Sequence, residues 1–247
     1  MLRRVRSGVR RRAWRAWYRT RWLAWDQRQT TQTRIRRVAG IELLIIPGVL
    51  DPALFFSSEL LVASIHRLVT PGATVLDLGT GSGIGAIAAA EAGAAQVVAV
   101  DIQTAAVDCC RANIARHRLE DRVDVRQGDL FDPVPAERFD LVAFNPPYLR
   151  PPAKGASDPA FHGPPELAAR FATGVADHLT PTGSAVVVLS TNGRPEDHLA
   201  PLRAAGFRVI VLLSRDRGSE RLTSWHATLA READDGAPSS ITDRAAR

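Results

Sequence analysis

Asn145-Pro146-Pro147-Tyr148 gathers groups able to hold a flat NH2-bearing nitrogen. Two consecutive prolines fix φ and remove two amide donors, which stiffens the segment and leaves its carbonyls free to accept hydrogen bonds. The Asn145 side-chain oxygen is a further acceptor, and Tyr148 offers an aromatic face for a planar amide or base. Such nitrogens are poor nucleophiles because their lone pairs are delocalised. In-line methyl transfer to one leaves it positively charged until a proton departs, and acceptors aimed at its N–H bonds stabilise that charge as it develops. Holding nitrogen and methyl in line lowers the entropic part of the barrier. The same four residues also read as a plain stiff strand-exit loop. Among the six His, no Ser/His/Asp order or metal-ligand cluster is recognisable, so no metal is expected.

A second group lies earlier. Val75-Leu76-Asp77-Leu78-Gly79-Thr80-Gly81-Ser82-Gly83 runs from an apolar strand into a turn that opens a helix. Its glycines let the backbone pass close to a ligand at angles closed to other residues. Gly81 to Ala86 also fits G-x-G-x-x-A, and Asp101 follows at about the distance of a ribose-binding carboxylate, so the turn by itself admits NAD. A ligand-free tight turn is the third reading. Asp101 ends an apolar run, where it can accept both hydroxyls of a ribose or cap the helix that follows. Asp129, after Gly128, is placed to meet an adenine edge or to serve as an ordinary loop acid.

The elements that must position these residues are legible from periodicity. Apolar, β-rich runs at 74–78, 97–100, 123–125, 139–144, 185–189, 209–213 and 225–229 are continuous rather than alternating, as in strands covered on both faces. Helical stretches at 58–68, 83–92, 104–118, 166–179 and 196–205 separate most of them. The repeated βαβ pattern predicts a doubly wound α/β domain with a mostly parallel seven-stranded sheet. The last two runs have no helix length between them, so the last strand pairs antiparallel. Residues 41–46, ended by Pro47-Gly48, predict a short strand and turn before the domain.

At 247 residues with 45% apolar content, the chain can bury one substantial core. The two cysteines, Cys109 and Cys110, are adjacent, which suits neither ordinary disulfide geometry nor zinc spacing and points to a reducing, cytoplasmic setting. No run of about 20 apolar residues and no signal-peptide pattern is found. Residues 1–40 hold thirteen Arg and one acid, Asp26, or +12 of a net charge of +6, leaving −6 on the rest. In this Arg/Trp-rich arm, Trp14, Tyr18, Trp22 and Trp25 fall on one side of a helix. Docking on the body, RNA binding, and a membrane-surface or transit role all fit it. The expected division is arm 1–40, catalytic domain 41–232 and disordered polar tail 233–247.

Together these residues resemble the N5-glutamine and N6-adenine class of S-adenosylmethionine-dependent methyltransferases, and most closely the release-factor glutamine methyltransferases. The motifs are Pro47-Gly48-Val49-Leu50, Asp77 to Gly83, Asp101, Gly128-Asp129-Leu130-Phe131 and Asn145-Pro146-Pro147-Tyr148. The resemblance implies that Asp77, Gly79 and Gly81, with Thr80 and Gly83, surround the methionine part of the cofactor. It places Asp101 at the ribose and Asp129 by the adenine, with the neighbouring Ile102 and Leu130 also binding the cofactor, while Asn145 and the Pro146 carbonyl hold the acceptor NH2. Release-factor enzymes carry a larger helical N-terminal domain where this chain has its short arm, and shorter relatives can depend on a small zinc-binding partner. The expected acceptor is a protein glutamine, possible translation partners being release factors. An RNA base or small-molecule nitrogen, and a non-catalytic binding protein on the same fold, stand as alternatives.

Overall fold

The computed structural model describes residues 32–148, 163–217 and 220–230. The aromatic stripe of the arm, most of the Pro/Gly-rich loop after Tyr148 and the polar tail lie outside them.

In β3 (Thr74–Leu78), Val75 joins one hydrophobic cluster while Leu76 and Leu78 join another. β4 (Gln96–Asp101) and β6 (Phe139–Phe144) repeat this division. Val97, Ala99, Leu141 and Ala143 face the first cluster; Val98, Val100, Val142 and Phe144 face the second. Side chains alternate across a strand, so strands with a core on each side have no polar face. Helices α1 (Ser57–Leu68), α2 (Ile84–Glu91) and α3 (Thr104–Arg116) cover the first face. The second is covered by α4 (Leu167–Val175) and α5 (Pro195–Ala204).

With β5 (Val123–Gln127), β7 (Leu179–Ser190), β8 (Phe207–Arg217) and β9 (Glu220–Leu229), the sheet runs in the order β5-β4-β3-β6-β7-β9-β8. β9 is antiparallel to both its neighbours and the remaining adjacent pairs are parallel, in line with the doubly wound expectation. β3 is flanked by β4 on one side and β6 on the other, so the connections leave it in opposite directions and open a crevice at the carboxyl ends of these strands.

Arg34–Val38 forms β1, an antiparallel partner of β2 (Ile41–Ile45), and the division at residue 40 falls in the turn between them. Of β1 only Val38 is buried, so its composition carries no apolar pattern; pairing with β2, whose Ile41, Leu43 and Ile45 are buried, makes it a strand. Ala39 and Gly40 both adopt positive φ, as a two-residue hairpin turn requires. The helix expected to reach residue 179 stops at Val175, and β7 starts at Leu179 after a short 3-10 turn.

Fully buried Asn113 of α3 fastens the hairpin to the domain. Its Oδ1 accepts from Leu44 N (2.7 Å), and its Nδ2 donates to Leu44 O (2.8 Å) and to Ser82 O (2.9 Å) in the glycine turn. One carboxamide thus imitates a neighbouring strand for β2 and also anchors the site turn. Asn113→Ala leaves these backbone groups short of partners and is expected to lower stability by about 3 kcal/mol. Urea titration should show a reduced midpoint at an unchanged slope; a loss under about 1 kcal/mol would show that the clamp is dispensable.

Candidate active site

A cavity of about 280 Å³ opens at the carboxyl ends of β3, β4 and β6, close to the lower end of the ~300–1,000 Å³ typical of small-molecule sites. Asp77, Gly79, Thr80, Gly81, Asp101, Ile102, Asp129, Leu130 and Asn145 line it. These positions come from four separate strand ends, which only the crossover topology brings together.

Asp77 is 2% exposed on β3, pointing into the first face beneath α2. Its Oδ2 accepts from Thr80 Oγ1 at 2.7 Å, and the backbone N–H of Ala86 in the first turn of α2 also donates to it. A Cβ on Gly85 would stand 2.5 Å from Asp77 Oδ1, so glycine is what lets the helix approach the carboxylate this closely. Burial outweighs these hydrogen bonds and pushes the Asp77 carboxyl up to about 7.

Asp101 links two strand ends. Its Oδ2 accepts the Gly81 amide at 2.9 Å and its Oδ1 the Gln103 amide at 3.0 Å. Burial raises its pKa as well, opposed by these amides and that of Ile102. The helix-cap reading of Asp101 does not hold, because Gln103 occupies the N-cap of α3 and has no side-chain cap bond. Gly79, Gly81 and Gly83 have φ of 62°, 55° and 85°, so the turn uses a conformation that a side chain would strain. Gly83 does not line the cavity; a Cβ there would meet Cys110 Sγ at 2.9 Å, so its place is in packing the turn on α3. Cys109 and Cys110 are free and buried.

At the other end, Ile102 is 58% exposed although apolar, a surface suited to a flat ligand. Leu130 adopts a positive φ of 50° directly after Asp129. Asp129 Oδ2 pairs with Arg170 Nη1 of α4 at 2.8 Å.

Asn145 Nδ2 donates to Ser57 Oγ at 3.2 Å across 88 residues of sequence, and Asn145 Oδ1 is buried with no hydrogen-bond partner among the described residues. An acceptor oxygen is therefore held in a fixed orientation with its bonding capacity unused. Pro147 lines the cavity, whereas Pro146 is buried and does not. Tyr148 is not brought to the cavity: it packs on the second core and lines a small adjoining hollow with Phe55, Phe56, Ser57 and Glu220. The aromatic face expected for stacking on the acceptor is thus turned to that hollow. Sequence reasoning missed Ser57, whose partner is distant in the chain, and, in the cavity lining, Gln103, Phe144 and Leu167. Val49 and Leu50, noted in the sequence only as part of a motif, also line the wall.

Asp77, a buried carboxyl beside the glycine turn, is the wrong group to face a pyrophosphate and the right one to face a cation. One turn amide, Gly81, is moreover already bonded to Asp101. This chemistry disfavours the dinucleotide reading and fits the sulfonium and ammonium groups of S-adenosylmethionine, with Asp101 free to take ribose hydroxyls on its remaining lone pairs.

Comparison with known proteins agrees. The chain is 43% identical over 94 residues to a ribosomal protein uL3 glutamine methyltransferase of Bordetella pertussis, covering 38% of this chain and 32% of that protein. It is 33% identical over 168 residues to a release factor glutamine methyltransferase of Rhodopirellula baltica, covering 62% and 57%. The chain thus spans between a third and little over half of the length of these relatives. Among solved structures, a T. thermophilus 16S rRNA N2 G1207 methyltransferase in complex with AdoMet and guanosine superposes with a TM-score of 0.60 at 24% identity, over 81% of this chain and 50% of that one. That likeness concerns the fold. Residues 51–205 match the family described as Methyltransferase small domain, and since this match takes in more than half of the chain, with the glycine turn, Asp101, Asp129 and the Asn145 loop inside it, the chain belongs to that family.

Proposed function

We propose that this chain is an S-adenosylmethionine-dependent N-methyltransferase acting on a planar NH2 group, with a protein glutamine side chain of the translation apparatus as acceptor. The observation that carries the reading is the buried, unpartnered Oδ1 of Asn145 at the cavity wall. A buried acceptor without a donor costs about 1–3 kcal/mol, a loss that an incoming N–H would recover. The relatives named as glutamine methyltransferases support an amide nitrogen as that donor.

S-adenosylmethionine, when bound, supplies a methyl group activated by a positively charged sulfur. In this reading Asp77, Gly79, Thr80 and Gly81 hold its methionine part, Asp101 its ribose, and Ile102, Asp129 and Leu130 its base. Ser57 fixes the Asn145 carboxamide so that Oδ1 meets an N–H of the acceptor and draws off positive charge as it builds on the nitrogen. Pro147, stiff and lining the cavity, keeps the acceptor side from relaxing. A nucleic-acid acceptor is the second reading, favoured by the Arg and Trp content of residues 1–31.

Four outcomes are expected. S-adenosylhomocysteine should raise the melting temperature and NAD should not; stabilisation by NAD alone would refute the cofactor assignment. Asn145→Ala should slow transfer of labelled methyl by about 100-fold or more. The label should enter a release factor or ribosomal protein, and its appearance in total RNA alone would replace the glutamine acceptor by a base. The fourth concerns pH. The ammonium group, the one cation of S-adenosylhomocysteine, favours ionised Asp77, whose carboxyl sits at about 7 in the free protein. Binding therefore expels a proton below pH 7, and calorimetric affinity for S-adenosylhomocysteine should fall as pH drops from 7 to 5. Asp77→Asn should flatten that slope, and a slope unchanged in the variant would assign the proton elsewhere.

A further inference from the structure

Arg170 lies at the base end of the cavity without having figured in any sequence motif. It sits on α4 one turn after Leu167, and residues three apart share a helix face; Leu167 lines the cavity while Arg170 reaches across to Asp129. The pair joins α4 to the turn between β5 and β6. That turn is itself tied to β4, since Gly128 N donates to Asp101 O at 3.0 Å. Ile102, Leu130 and Leu167 give the cavity lining apolar surface as well.

We infer that Arg170 is a specificity-determining residue, which by engaging one oxygen of Asp129 holds the other toward the cavity so that it selects a 6-amino purine over a 6-oxo purine. This rests on the cofactor reading above. Arg170 Nη1 engages Oδ2 at 2.8 Å. A carboxylate only accepts hydrogen bonds, so the second oxygen rewards an amino group and opposes a carbonyl. Both partners are partly exposed, with side-chain exposures of 42% and 34%, and without the guanidinium nothing among the described contacts keeps the Asp129 carboxylate from turning to solvent. Pairs so exposed are weak, which sets the scale of the effect at several-fold rather than orders of magnitude.

The test is calorimetric binding of S-adenosylhomocysteine and of its deaminated analogue, S-inosylhomocysteine, to the full chain and to R170Q, R170K, D129N and R170Q/D129N. The full chain should prefer the amino form. R170Q should weaken S-adenosylhomocysteine about fivefold while sparing the analogue, so that the preference shrinks toward unity, and R170K should restore part of it. In the D129N background R170Q should change nothing further. A preference unaltered by R170Q, or an equal loss for both ligands that persists in D129N, overturns the inference while leaving the cofactor reading intact. Failure of the full chain to bind S-adenosylhomocysteine overturns both. Unliganded melting temperature identifies any variant that is unfolded, in which case R170K against the full chain decides by the same ratio.

Discussion

The site depends on the bond from the Gly81 amide to the Asp101 carboxylate. β3 and β4 are neighbours in the sheet, and backbone pairing holds them as far as the bond from Thr80 N to Val100 O at 3.0 Å; past that point the exits into a turn and a helix still have to be tied together. Asp101 does so by accepting Gly81 from one and Gln103 from the other. The glycine turn can comply only because positive φ costs glycine little. Asp101 is buried to 8% exposure, so the same bonds that position it also offset the cost of desolvating its charge.

Beside it, Asp77 is buried more deeply and compensated less, and its raised pKa records that imbalance. Two acids so close together destabilise the free fold relative to apolar residues of similar size. A cationic ligand reverses the balance. Unpaired Asn145 Oδ1 is a second such debt, held because Ser57 prevents the carboxamide from turning to find a partner. The cavity is thus least satisfied where a positive sulfur and an N–H donor would satisfy it, in keeping with the tendency of functional sites to depart from the local rules obeyed elsewhere.

The support for these groups is remote from them. Asn113 fixes β2 and the carbonyl of Ser82 with a single side chain, so the N-terminal hairpin and the ligand turn share an anchor. The hairpin also reaches the cavity wall: Arg36 of β1 pairs with Asp51 at 2.6 Å, and Asp51 accepts the Ala53 amide beside the lining residue Pro52.

What the sequence by itself determined was whatever depends on local chemistry. Continuous apolar runs specify strands buried on both faces, the glycines specify a turn closed to other residues, and the order of strands and helices implies a crossover topology whose reactive edge must hold Asp77, Asp101 and Asn145. Tertiary structure alone decided the rest, because it depends on partners far apart in the chain. Arg34–Val38 is a strand only by pairing with β2; Asn145 bonds to Ser57 and Asp129 to Arg170; Tyr148, close to Asn145 in sequence, lines the neighbouring hollow. A residue's type fixes which bonds it can make, but direction and company come from packing, and no local pattern encodes them.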